Sequence, residues 1–124
     1  MKFYICKTCG NIVEMVQDSG VVPMCCGKSM TELAPNTTEA AGEKHLPVIT
    51  KNGADVHVAV GAAAHPMSQE HSIQWIAVKT KAGCQRKHLS PENAPETDFA
   101  LAPGDTLESA FAYCNLHGLW KTEA

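Results

Sequence analysis

Six cysteines and six histidines stand among 124 residues, and they are the side chains here best suited to chemistry. Both types bind transition metals, as thiolate and as neutral imidazole. Cys6-Lys7-Thr8-Cys9 sets two thiols two residues apart, a spacing at which one tight turn can chelate a single ion. Cys25-Cys26 supplies two more, with residues 10–24 between the pairs. Four thiolates suit tetrahedral zinc or iron, and spacing alone does not choose between them. Side chains of adjacent cysteines diverge, so both reach one ion only through a distorted backbone, and a strained tetrahedron is expected. A disulfide framework is disfavoured. A cysteine motif begins where the apolar segment of a secretion signal would have to lie. The expected compartment is therefore the cytoplasm, where thiols stay reduced.

A second group of donors lies further along. Cys114-Asn115-Leu116-His117 is a two-residue-spaced pair at the exit of a strand, where both side chains can face one ion. The remaining histidines are His45, His57, His65, His71 and His88. His65 precedes Pro66, which holds its backbone extended. His71 follows in the same polar loop. Taken singly, each histidine reads as an ordinary surface or core residue. Convergence with Cys114 would make ligands of several, and spacing leaves open which ones converge.

The elements that must position these donors fall into two segments. Met1 to Ala34 carries four of the six cysteines and few apolar residues, so it needs a metal or disulfides to fold. Pro35 to Gly42 reads as a linker with room for a helical turn. Glu43 to Ala124 reads as strands. Val56, Val58 and Val60 alternate with His57 and Ala59, the period of a half-buried strand. Further strands are predicted at Ile73–Val78, Thr97–Leu101 and Ser109–Tyr113. Asn52-Gly53, Ala82-Gly83, Ser90-Pro91 and Pro103-Gly104-Asp105 supply the turns. Short strands at this spacing predict a mainly β chain with an antiparallel sandwich. The formal charge of −3 and the absence of a basic run argue against a nucleic-acid partner. No apolar stretch approaches the roughly 20 residues of a membrane-spanning helix.

In order and spacing, five motifs together resemble the desulfoferrodoxin-type superoxide reductases over essentially the whole chain. They are Cys6-x-x-Cys9 with Cys25-Cys26; Glu43-Lys44-His45-x-Pro47-Val48; His65-Pro66-Met67; His71 with Trp75; and Cys114-Asn115-x-His117-Gly118-x-Trp120. The resemblance implies a desulforedoxin-like, rubredoxin-type iron module at 1–34, a linker at 35–42 and a neelaredoxin-like catalytic domain at 43–124. That domain is an immunoglobulin-like antiparallel β-sandwich. Two irons per chain are implied. One is held by Cys6, Cys9, Cys25 and Cys26, where zinc is the alternative. The other is held by His45, His65, His71 and His117 with Cys114 as an axial thiolate. The implied activity is one-electron reduction of superoxide to hydrogen peroxide, a detoxification, with electrons from rubredoxin or a similar donor. The implied assembly is a homodimer. Lys44 is expected to attract the anion, and Glu43 to approach the oxidised iron. His57 and His88 match no ligand position and are expected to face solvent. Cys84 is expected to be a surface or structural thiol. Without the resemblance, two other functions fit the same residues: a non-catalytic iron electron-transfer protein and a zinc-stabilised immunoglobulin-like binding module.

Overall fold

The computed structural model describes residues 1–124. The chain separates into two compact units, Met1–Ala34 and Pro35–Ala124. In the first, β1 (Phe3–Ile5) pairs antiparallel with β2 (Ile12–Glu14), and β3 (Met24–Cys25) with β4 (Lys28–Ser29). β5 (Thr31–Glu32) adds to the other edge of β1, giving the order β2-β1-β5. Its buried cluster is small: Tyr4, Cys6 and Met30, with Met15 and Cys25 against them. So little apolar area stabilises a fold only weakly, which leaves the four thiols to contribute.

The second unit starts with α1 (Gly42–His45), a single turn. β6 (Pro47–Asn52), β7 (Asp55–Val60) and β10 (Glu96–Ala100) form one sheet, in the order β10-β7-β6. β8 (Ile73–Thr80), β9 (Cys84–His88), β11 (Leu107–Cys114) and β12 (Gly118–Glu123) form the other, in the order β12-β11-β8-β9. Every pairing is antiparallel. Seven strands in sheets of three and four make the immunoglobulin-like sandwich. The core lies between the sheets. Val56, Val58, Val60 and Phe99 face Ile73, Ile76, Val78, Ala110, Ala112 and Cys114, all buried. The alternation along β7 sends its valines inward and leaves His57 and Ala59 on the outer face.

Three strands of this unit escape the sequence pattern. β9 reads Cys-Gln-Arg-Lys-His and lies almost wholly exposed at a sheet edge, so it has no apolar face to announce it. β6 turns polar at Thr50-Lys51-Asn52, and β12 follows Cys114 after only three residues. β8 and β11 run longer than their apolar stretches because pairing continues to Thr80 and back to Leu107. Segment 35–42 is tied at its start to β12. Asn36 Nδ2 donates to Lys121 O at 3.0 Å, and Lys121 N–H donates to Asn36 Oδ1 at 2.8 Å.

Ile76 is fully buried. Ile76→Ala should cost about 2–5 kcal/mol in denaturant unfolding, through lost transfer energy and a residual cavity. Cys84→Ser, on the exposed edge strand, should change stability by no more than about 0.5 kcal/mol.

Candidate metal centres

The far ends of four chain segments meet at one end of the sandwich. His45 is the last residue of α1, His65 and His71 lie in the loop between β7 and β8, Cys114 ends β11, and His117 sits in the turn to β12. Their donor atoms all lie within 4.8 Å of one another. The imidazoles follow one another around a ring. Neighbouring centroids are 4.7 Å apart for His45–His65, 4.6 Å for His65–His71, 5.2 Å for His71–His117 and 4.9 Å for His117–His45. His45 and His71 are opposite, at 6.5 Å. Adjacent ring planes stand at 75–87°.

Hydrogen bonds fix what two of these rings can do. His45 Nδ1–H donates to Ala41 O at 2.8 Å, and His65 Nδ1–H donates to Pro66 O at 2.7 Å. A carbonyl only accepts, so in each neutral ring Nε2 carries a lone pair and no proton. These two bare nitrogens face each other at 3.2 Å. Lone pair against lone pair is repulsive, and a cation between them reverses the sign. His71 Nε2 is buried with no hydrogen-bond partner, which is costly for a polar atom unless it coordinates. His45 Nε2 lies 3.1 Å from His117 Nδ1. A square with edges of 3.1–3.2 Å has a half-diagonal of about 2.2 Å, close to the 2.0–2.1 Å of a zinc–imidazole bond. The residues therefore fit a metal ion.

Burial, reinforced by neighbouring imidazoles, pulls the pKa of His65 down to about 4 and also lowers that of His71. Both stay neutral near pH 7 and ready to ligate. Burial pushes the Cys114 thiol up, opposed by the Leu116 and His117 backbone N–H groups. Its proton has to leave when a cation binds. Trp120 stacks on the His45 ring at 4.9 Å and donates Nε1–H to His117 O at 3.1 Å, buttressing two donors at once.

Gly61 is a residue that sequence reasoning passed over. A Cβ there would meet Glu43 O at 2.6 Å and Leu46 O at 3.0 Å, both backbone atoms. The turn that carries His45 can pack this closely only against a glycine. Nothing in Val60-Gly61 signals this, because the approaching backbone is remote in sequence. Glu43 and Lys44 are both exposed on α1, next to buried His45.

The first unit gathers Cys6, Cys9, Cys25 and Cys26, again with all sulfurs within 4.8 Å. Cys9 and Cys25 sulfurs are 3.6 Å apart, and those of Cys25 and Cys26 are 3.9 Å apart. A tetrahedron with such edges has a centre-to-corner length of about 2.3 Å, that of a metal–thiolate bond. The distortion expected from adjacent cysteines falls on the backbone. Cys26 adopts φ +52°, in the left-handed region, and Gly27 follows at +73°. The backbone N–H of Cys9 is the main cause that pulls the Cys6 thiol down to about 6. Neighbouring thiols, Cys9 first, push Cys26 up to about 12. One thiolate forms readily, and all four together need a cation.

The other candidates lie elsewhere. His57 is 39% exposed on the outer face, with Nδ1 2.7 Å from Asp98 Oδ1. His88 and Cys84 are exposed on β9.

The desulfoferrodoxin family profile matches residues 37–123. A desulfoferrodoxin of Syntrophotalea carbinolica is 46% identical over 123 residues, covering 99% of this chain and 96% of its own. The chain belongs to the desulfoferrodoxin family. Among solved structures, the superoxide reductase from Treponema pallidum superposes with a TM-score of 0.83 at 36% identity, covering 98% of each chain. A superoxide reductase from Giardia intestinalis, described as 1Fe-SOR, gives 0.58 at 29% identity. It covers 66% of this chain and 97% of its own. The mainly β, two-unit architecture is thus that of a desulfoferrodoxin.

Gly61→Ala should force α1 outward at a cost of about 1–3 kcal/mol. Metal bound at the histidine cluster should fall, with that at the four-cysteine cluster retained, as metal analysis and visible spectra would read. In the metal-free chain, the His65 pKa near 4 lies below the ordinary value of 6.5. Between these values the unfolded chain binds a proton that the folded chain does not. This part of the stability is present above pH 6.5 and lost as pH falls toward 4, and urea midpoints across that window would measure it.

Proposed function

We propose that this protein is a superoxide reductase that converts superoxide to hydrogen peroxide at the four-histidine, one-cysteine cluster. The observation that carries this reading is the donor set itself. Four neutral imidazoles and one thiolate fill five positions, so a six-coordinate ion keeps one position for a small ligand. A ferrous ion held there would supply one electron and a positive charge toward an anion.

The chain's own residues would do the rest. Neutral imidazoles add no negative charge, so with the single Cys114 thiolate a ferrous centre would keep a net positive charge, and burial keeps His65 and His71 neutral. The Cys114 thiolate is the electron-rich ligand that favours giving an electron away. Lys44, exposed and next to His45 in the chain, would bring an ammonium toward the cluster and so raise the local concentration of superoxide. Glu43, on the same turn, is the carboxylate that would approach the oxidised centre. The balance is one superoxide, one electron and two protons to one hydrogen peroxide, with the protons drawn from water. The electron comes in turn from a one-electron donor such as rubredoxin, and the role in the cell is superoxide detoxification.

The four-cysteine cluster would hold a second iron, or zinc, in a desulforedoxin-like module at 1–34, with 43–124 as the catalytic domain. Its main role is to hold that module together, because so few apolar residues are buried there. A relay of electrons is secondary. The Giardia relative, matched by 66% of this chain, supports the view that the reaction does not need the whole length. The protein is proposed to work in the cytoplasm as a homodimer. No helix is long and apolar enough to cross a membrane.

The test is the stoichiometry of the reaction with a chemical reductant present. Reduction gives one peroxide per superoxide consumed, while dismutation gives one per two, with oxygen. A yield at the dismutation value would overturn the reading. Lys44→Ile should slow the second-order step severalfold and flatten its dependence on ionic strength.

A further inference from the structure

We infer that Asn115 is a positioning residue for the five-donor cluster, its side-chain amide serving as an extra peptide unit that fixes the His71 loop onto the Cys114–His117 turn. The inference rests on reading that cluster as a metal site.

Regular pairing of β8 with β11 ends at Cys114 opposite Ile73, after a register shift between Tyr113 and Cys114. Beyond that rung the ladder has no strand left to continue it. Asn115 supplies three further hydrogen bonds. Its backbone N–H donates to Ser72 O at 3.3 Å. Its Oδ1 accepts from Ser72 N–H at 3.0 Å, and its Nδ2–H donates to Glu70 O at 2.9 Å. The two partners, Glu70 and Ser72, flank His71 on either side. The main chain of His71 is in turn closed onto Ser68. His71 N–H donates to Ser68 Oγ at 3.2 Å, and Ser68 N–H donates to His71 O at 2.9 Å. Met67 anchors the start of this loop on the core, but Ser68, Gln69 and Glu70 beyond it are exposed, so burial does not hold the stretch leading into His71. The amide of Asn115 ties that stretch on both sides of His71, and it stands directly after one donor and two residues before another. Its target is the histidine whose buried Nε2 has no hydrogen-bond partner.

An amide offers a donor and an acceptor together, as a peptide group does. Aspartate has nearly the same shape but only accepts. Asn115→Asp keeps the bond from Ser72 N–H and sets a carboxylate oxygen against Glu70 O, so the loop is pushed away at one end. Asn115→Ala removes both side-chain bonds.

Cobalt(II) titrated into the full-length metal-free chain is the probe, since its spectrum distinguishes a four-thiolate site from a histidine–thiolate site. In Asn115→Asp, affinity at the histidine cluster should fall about 10–100-fold, the range typical when a group that orients a ligand is lost. The bands of that site should shift, and those of the four-cysteine site should stay. Asn115→Ala should follow the same direction. In a His71→Ala background, Asn115→Asp should have little further effect, because the ligand it positions is gone. Native affinity and bands in Asn115→Asp would overturn the inference. So would an equal fold-loss in both backgrounds, which would mark a general structural role. A native chain that takes up no cobalt at the histidine cluster would instead overturn the site reading, and this inference with it.

Discussion

Two unprotonated imidazole nitrogens held 3.2 Å apart set the problem that the rest of the second unit solves. Each is bare because its partner nitrogen donates to a backbone carbonyl, of Ala41 or of Pro66. The fold thus spends two main-chain acceptors on aiming lone pairs at a common point. Without a cation this arrangement is unfavourable, and the buried, unpartnered Nε2 of His71 adds to the cost. It persists because the sandwich fixes where the donor-bearing segments end. Cys114 closes a fully buried stretch of β11, and the packing of Gly61 under α1 sets the height of His45. Outer-shell contacts of this kind orient ligands and hold their tautomers.

The two clusters solve different chemical problems with different donors. Four sulfurs gathered within 4.8 Å of one another can close around an ion and leave it no free position, which suits structure and simple electron transfer. Four imidazoles and one thiolate would leave a six-coordinate ion one position for a small ligand. The surroundings differ in the same sense. The first unit buries only a handful of apolar residues, so metal and fold stabilise each other there. The second has a full inter-sheet core and can hold its donors in place before an ion arrives.

The division between sequence and structure follows the range of the interactions involved. Local signals were strong where chemistry or alternation is local. The Cys6–Cys9 and Cys114–His117 spacings, the buried valines of β7 and the apolar runs of β8 and β11 all appear within a few residues. The order of the motifs, read as a resemblance, also separated His45, His65 and His71 from His57 and His88. Edge strand β9 was hidden, because an exposed strand has no apolar face to display.

Sequence by itself therefore determined the types of donor, their local pairing and the β character of the chain, since these depend on side-chain chemistry and on a two-residue period. Tertiary structure decided which donors share a point and in what state. His45 and His117 meet across 72 residues, and their approach depends on strand register, on the Ala41 and Pro66 carbonyls, and on the absence of a side chain at Gly61. Tertiary structure also gave Asn115 its part, because an amide reads as a ladder rung only once Glu70 and Ser72 lie beside it. Backbone carbonyls and close approaches carry no residue code, so only the folded chain reveals them.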